Sequence, residues 1–230
     1  MRIIPASDSS LLVVFGNEIS PALHKRVIAL FHALQAWHDP RIRNLHPGYA
    51  SLLIDFDPLQ LTYDELNSVV QQMAPASDSM ADERANVITI PVCYDIEFGP
   101  DLADVAQQAG LSLEEVVRLH SSPTYLVYFL GFTPGFAYLG GLPDILHMPR
   151  LTSPRPLVAG GSVGIAGSQT GIYPFDSPGG WRLIGRTPLR MFDPEATPPT
   201  LLGPGDRIKF SPIDRATFQD ISSRAEARLR

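Results

Sequence analysis

Hydrophobic residues follow two different rhythms along this chain, and the change between them falls near residue 131. In the first part the run "LLVVFG" (11–16) reads as a short apolar strand. Ser20 and Pro21 then offer a helix N-cap with proline at the first helical position, and Leu23, Val27, Leu30, Phe31 and Leu34 recur at helical spacing. "IRNLHPGYASLLIDFDP" predicts two strands turned through Pro47-Gly48, because β-branched and apolar residues flank a turn dipeptide. Thr62 and Glu65 bracket a capping box that opens a helix with Leu66, Val69, Val70 and Met73 on one face. After the polar stretch "PASDSMADER" comes another strand, "NVITIPVCYD". The resulting order, β-α-β-β-α-β, is the split arrangement of a ferredoxin-like α/β sandwich, assigned to residues 1–95.

Residues 96–230 open with two short helices. "PDLADVAQQAG" ends on Gly110, and Ser112 with Glu115 starts the second helix through its own capping box, carrying the chain to His120. From "TYLVYFLGF" onward, short apolar runs alternate with Gly/Pro turns: "GSVGIAG", "GGWRLIGRTP", "LRMFDP" and "DRIKFSP". Fourteen of the eighteen glycines fall in the last hundred residues, so this half is predicted to be a closed or sandwiched β-domain rather than a continuation of the first. The tail "ATFQDISSRAEARLR" reads as a helix with a solvated charged face. The fold class is therefore α+β in two domains.

With 44% hydrophobic and 18% charged residues, the chain has the composition of a globular protein that can bury a core. A net charge of −6 leaves no excess of cations for neutralising phosphates or holding an anionic bilayer, so neither nucleic acid nor membrane is an expected partner. Lys25 and Lys209 stand against sixteen arginines. Any anion handled by this chain is then expected to be handled by Arg, whose planar fork pairs with carboxylate or phosphate bidentately. The single cysteine, Cys93, excludes an intramolecular disulfide and a cysteine-built zinc site, and its apolar neighbours predict an inert packed thiol. The N-terminus lacks the charged and apolar regions of a signal peptide, and no window reaches about 18 apolar residues; a soluble, cytoplasmic protein is expected.

Candidate chemistry concentrates in "GSVGIAGSQTGIYPFDSPGGW" (161–181). Its glycines at 161, 164 and 167 match neither G-x-G-x-x-G opening a helix nor a Walker A loop, since no Gly-Lys-Ser/Thr follows. Two readings stand: the glycines serve bulges and barrel corners, or they let the backbone approach a planar amide, with Gln169, Thr170 and Tyr173 as polar contacts. Arg150, Arg155, Arg182, Arg186 and Arg190 punctuate the same region, either as a salt-bridged rim or as donors to carboxylate or phosphoryl oxygens. His120 is open between a helix-terminal structural role and that of a proton carrier. The other histidines lack ligand spacing, so no metal site is predicted, and Ser162 has neither a G-x-S-x-G elbow nor a recognisable base. "FLGFTPGFAYLGGLP" (129–143) reads either as a packed aromatic corner or as the wall of a pocket or partner surface.

"PTYLVYFLGFTPGFAYLGGLP", "MPRLTSPRPLVAGGSVGIAGSQTGIYPFDSPGGWRLIGRTP" and "IPVCYDIEFGPDLADVA" together resemble the family of 5-oxoprolinase B subunits, which also includes the histidine-kinase inhibitor KipI and the first subunits of enzymes called allophanate hydrolases. The likeness runs from about Val87 to Pro212. It implies a small N-terminal α/β domain followed by a C-terminal cyclophilin-like β-barrel, and a chain that works beside two partners, the C and A subunits of 5-oxoprolinase. The implied reaction opens the lactam of 5-oxoproline to glutamate with ATP as cosubstrate, held by this chain or by a partner. An unactivated amide carbonyl is a poor electrophile, which is why such chemistry calls for phosphorylation of its oxygen. Matching polar positions are His120, Tyr125, Arg150, Arg155, Ser162, Gln169, Thr170, Tyr173, Arg182, Arg186 and Thr187. Among these, Gln169, Thr170 and Tyr173 are expected to contact an amide or lactam, with Arg150, Arg155 and Ser162 also binding substrate. Arg182 and Arg186 are expected at anionic oxygens and His120 as the proton carrier. Asp95-Ile96 stands where many relatives have Gly-Gly, and "VAGGSV" replaces the commoner "VPAGSV".

The same resemblance leaves a second function open, a KipI-type protein that docks on a sensor kinase and performs no chemistry, and a third, a component of an enzyme for urea-derived amides. A prolyl isomerase is suggested by the barrel as a fold analogy alone.

Overall fold

Strands β1 (Arg2–Pro5), β2 (Ser10–Val14), β3 (Ile42–Pro47) and β4 (Ser51–Phe56) form one antiparallel sheet in the order β1-β2-β4-β3. Its inward residues Leu11, Val13, Leu52, Ile54 and Phe56 pack with Val27, Leu30 and Leu34 of α1 (Pro21–Trp37) and with Leu66 and Val70 of α2 (Tyr63–Met73). Ser20 caps α1 in backbone conformation only, with proline at its first turn, whereas Thr62 and Glu65 complete both halves of the capping box on α2. The computed structural model describes residues 1–74 and 87–227; "PASDSMADER" and the last three residues of the tail lie outside them.

The chain divides into two compact units, Met1–Arg84 and Ala85–Arg230. In the second, β5 (Val87–Cys93), β6 (Tyr125–Leu130), β7 (Ala137–Gly140), β9 (Ser162–Ala166), β10 (Gln169–Ile172), β12 (Arg182–Arg186) and β13 (Arg207–Ile213) close a barrel in the order β10-β7-β6-β13-β5-β12-β9. Strands β8 (Arg155–Val158) and β11 (Ser177–Gly179) pair with each other outside it. Helices α3 (Leu102–Ala109) and α4 (Leu113–Ser121) lie between β5 and β6 in sequence, and α5 (Arg215–Ala227) follows β13. Gly110 ends α3 in the left-handed conformation, at φ 68°, and the capping box of Ser112 and Glu115 is complete. Alternate residues of the barrel strands point inward, among them Ile90, Val92, Tyr125, Val127, Ala137, Leu139, Val163, Ile165, Ile172, Ile184, Ile208 and Phe210. Each such apolar side chain contributes about 1.5–3 kcal/mol by leaving water.

Two sequence expectations are corrected here. "NVITIPVCYD" does not complete a split β-α-β-β-α-β sandwich: it is β5, and all of it pairs in parallel with β13, from Arg207↔Val87 to Ile213↔Cys93. The place beside β2 is filled by β1 in antiparallel register, Arg2↔Val14 to Pro5↔Leu11. The burial of Ile90, Val92 and Cys93 suits β5 to a closed barrel, and the boundary lies ahead of it rather than at residue 95. "LRMFDP" is not a strand, since only an isolated bridge joins Phe192 to Thr200. Cys93 is buried and free. Among the described residues no helix is long and apolar enough to cross a membrane.

Candidate functional site

The candidate residues fall into two sets, one inside the barrel and one on its outer wall. Inside, His120 is fully buried in the last turn of α4 and stacks on Phe210 with ring centroids 4.5 Å apart. The Thr170 hydroxyl donates to the Gly164 carbonyl at 3.0 Å, so it accepts from His120 Nε2–H at 2.9 Å, and Nδ1 accepts from the Tyr94 hydroxyl at 2.7 Å. The Tyr125 hydroxyl donates to the His120 carbonyl at 2.7 Å. Burial pushes the imidazole pKa down to about 3, and burial foremost raises those of Tyr94 and Tyr125. This chain of hydrogen bonds holds His120 neutral and away from solvent, where a core polar network belongs and a proton carrier does not. Thr170 shares that interior. His120, expected as proton carrier, and Thr170, expected as substrate contact, are thus both placed in the barrel interior.

The outer wall collects aromatic rings. Strand alternation turns Tyr138 outward between inward Ala137 and Leu139, and an irregularity between Val127 and Phe129 turns Phe129 out to stack on Tyr138 at 4.5 Å. Phe136 meets Tyr138, Tyr173 and Trp181 edge-to-face at 5.0, 5.1 and 5.3 Å, and these rings with Val158, Ala166 and Leu183 make a second small core. The Arg150 guanidinium stands 6.0 Å from the Trp181 ring. The Tyr173 pKa is raised, burial prevailing over the opposing pull of the Trp181 backbone and of the charges on Arg150 and Arg155. Tyr138 is likewise raised by burial against the pull of Arg150.

Tyr173 is buried in this cluster, Arg150 stands beside Trp181, and Arg155 on β8 is paired with Gly179 of β11. Gln169 lies on the outward face of β10, in register with Gly140 and Ala166, and its Nε2 is buried without a hydrogen-bond partner. The remaining candidates serve neighbouring backbone. Arg182 donates from Nε to the Pro149 carbonyl at 3.2 Å and stands 3.8 Å from Asp104, which fixes the segment just before Arg150. Arg186 donates from Nε to the Gly160 carbonyl at 2.7 Å, and buried Ser162 is its cross-strand partner. Sequence reasoning did not single out Tyr138 or Asp101. Tyr138 carried a signal, its alternation with Ala137 and Leu139. Asp101 looked like an ordinary residue ahead of a helix.

Two of the glycines are hemmed in by protein atoms. Gly161 adopts φ 82°, and a Cβ there would collide with the Thr187 carbonyl oxygen. At Gly171 a Cβ would come within 3.0 Å of both Phe136 Cζ and the Ala137 carbonyl. At Gly161 and Gly171 the close approach is made by the protein's own loops and rings. Gly161→Ala is expected to lower stability by about 2–4 kcal/mol through backbone strain and overpacking, read as a shift in the urea midpoint without change in its slope.

Residues 1–202 match the family described as "Carboxyltransferase domain, subdomain C and D". The 5-oxoprolinase B subunit of Bacillus subtilis (strain 168) is 40% identical over 92% of this chain and 92% of its own length. That of Escherichia coli O157:H7 is 48% identical over 89% of this chain and 93% of its own. The chain belongs to the family of 5-oxoprolinase B subunits. A solved protein of similar structure, TTHA0988, superposes with a TM-score of 0.80 at 40% identity over 89% of this chain, which spans 40% of that longer chain. Beyond the 5-oxoprolinase B subunits, the urea amidolyase of Saccharomyces cerevisiae is 26% identical over 90% of this chain but only 13% of its own length.

Proposed function

We propose that this chain is the B component of an ATP-dependent 5-oxoprolinase, opening the lactam of 5-oxo-L-proline to L-glutamate only in company with the A and C subunits. The observation that supports it most is near full-length identity to curated 5-oxoprolinase B subunits, against a much weaker and partial likeness to urea amidolyase. The barrel is taken as cyclophilin-like, a likeness of fold that brings no isomerase activity with it. In this reading the outer wall meets the substrate. Tyr138 offers apolar ring surface, Gln169 an amide donor, and Arg150 and Arg155 positive charge.

ATP is the cosubstrate of this reaction, and the glycine-rich stretch does not fit it. A phosphate cradle needs backbone N–H groups aimed at open space. Here Gly160 donates to Asp176 at 2.8 Å, Gly161 to the Tyr173 carbonyl at 2.7 Å, Ser162 to Ala159 at 3.1 Å and Gly167 to Met148 at 2.7 Å. In this reading a partner subunit holds the nucleotide, and this chain contributes recognition and orientation of the lactam.

A substrate comparison tests the reading. The chain combined with the A and C subunits is expected to release ADP on addition of 5-oxo-L-proline and not on addition of urea. Release with urea alone would replace the reading by a urea-amidolyase type of activity.

A further inference from the structure

Asp101 immediately precedes α3 and is only 5% exposed, yet its carboxylate does not cap that helix. Oδ2 accepts the Leu183 N–H at 2.7 Å, and the Asp101 N–H donates to the Leu183 carbonyl at 2.9 Å. This reciprocal clip fastens the residue to β12, so the barrel wall rather than a flexible side chain sets where Oδ1 points. Oδ1 accepts Arg155 Nη2 at 2.6 Å, a charge-assisted bond that fixes the guanidinium of a side chain rising from β8. The ion pair engages one nitrogen and leaves Nη1 buried with no hydrogen-bond partner, an expensive state for a charged donor.

We propose that Arg155, oriented by Asp101, forms a subsite for the carboxylate of the lactam substrate, with Asp101 as the positioning residue. The inference rests on the 5-oxoprolinase reading for the identity of that substrate. A carboxylate fits better than a larger anion: it is small and planar, and its two oxygens match the guanidinium fork of Arg155. The Arg155 side chain keeps 28% of its surface exposed, at the edge of the outer cluster. Engaging Nη1 requires β8 to give slightly, which its pairing with β11 alone, outside the barrel, allows.

Two readouts test it. In the complex with the A and C subunits, Asp101→Asn keeps an acceptor for Leu183 but removes the charge that orients Arg155. It is expected to raise KM for 5-oxo-L-proline about tenfold or more while kcat stays within about twofold, the split expected when ground-state binding is lost. In the isolated chain carrying Trp37→Phe, Trp181 is the remaining tryptophan. Its fluorescence is expected to respond saturably to 5-oxo-L-proline but not to 2-pyrrolidinone, the same ring without the carboxylate, and Asp101→Asn is expected to abolish the response. Should Asp101→Asn fail to fold, Arg155→Met carries the same comparison. An unchanged KM and titration in a variant that melts like the parent would overturn the proposal, as would equal responses to both probes. If the parent complex turns over no 5-oxo-L-proline while the titration still separates acid from lactam, the carboxylate subsite stands and the 5-oxoprolinase reading falls.

Discussion

His120→Ala is expected to destabilise the barrel unit by about 3–5 kcal/mol, a large share of the stability of an ordinary domain. The variant removes a ring stacked on Phe210 and leaves the Tyr94 and Thr170 hydroxyls buried without their partner. A pH series separates this network from simple loss of volume. The folded-state pKa of His120 is depressed to about 3 by burial, against 6.5 when exposed, so the unfolded chain binds the proton more readily. Its contribution is complete above pH 6.5 and is lost progressively as pH falls toward 3. Between pH 7 and 5 the parent should therefore lose about 2 kcal/mol that His120→Gln does not lose. Urea denaturation at the two pH values measures the difference. Parallel pH dependence in the two proteins would mean that His120 is reached by protons in the folded state.

The second large effect is expected at Phe136. This ring covers Gly171 and touches Tyr138, Tyr173, Trp181 and, at 5.7 Å, exposed Phe132. Phe136→Ala should cost about 3–5 kcal/mol, because three neighbouring rings cannot close the space without leaving their edge-to-face geometry. It should also expose Trp181, now 5% accessible, and shift its emission to the red. A denaturation midpoint and a Trp37→Phe emission spectrum read both consequences. A stable variant with unshifted emission would show that the outer cluster is held by the barrel strands alone.

Much of this architecture was legible because its signals are local. The capping boxes at Thr62 and Ser112, the left-handed Gly110 and the turn after Pro47 each rest on a few adjacent residues, and each is present. The glycine-rich alternation of the last hundred residues signalled a β-domain, closed or sandwiched, and the strand pairing makes it a closed barrel. What failed depended on distant partners. β5 has the same apolar pattern whether it pairs with β2 or with β13, and β1 is a short, mostly exposed edge strand ending in Pro5. For the site, clustering of arginines near loops marked Arg150, Arg155, Arg182 and Arg186 alike. It gave no sign that Arg182 and Arg186 would turn to backbone carbonyls. Inward and outward faces explain the rest. Thr170 and Gln169 are adjacent, so in a strand they necessarily face opposite sides of the wall, and a motif read as one contact surface is divided between core and exterior.

An omission series measures the central claim most directly. The A and C subunits, ATP and 5-oxo-L-proline are incubated with and without this chain, and L-glutamate is quantified. Glutamate should form in proportion to ADP only when the chain is present, and the chain alone should form none. Equal glutamate formation without it would contradict the account.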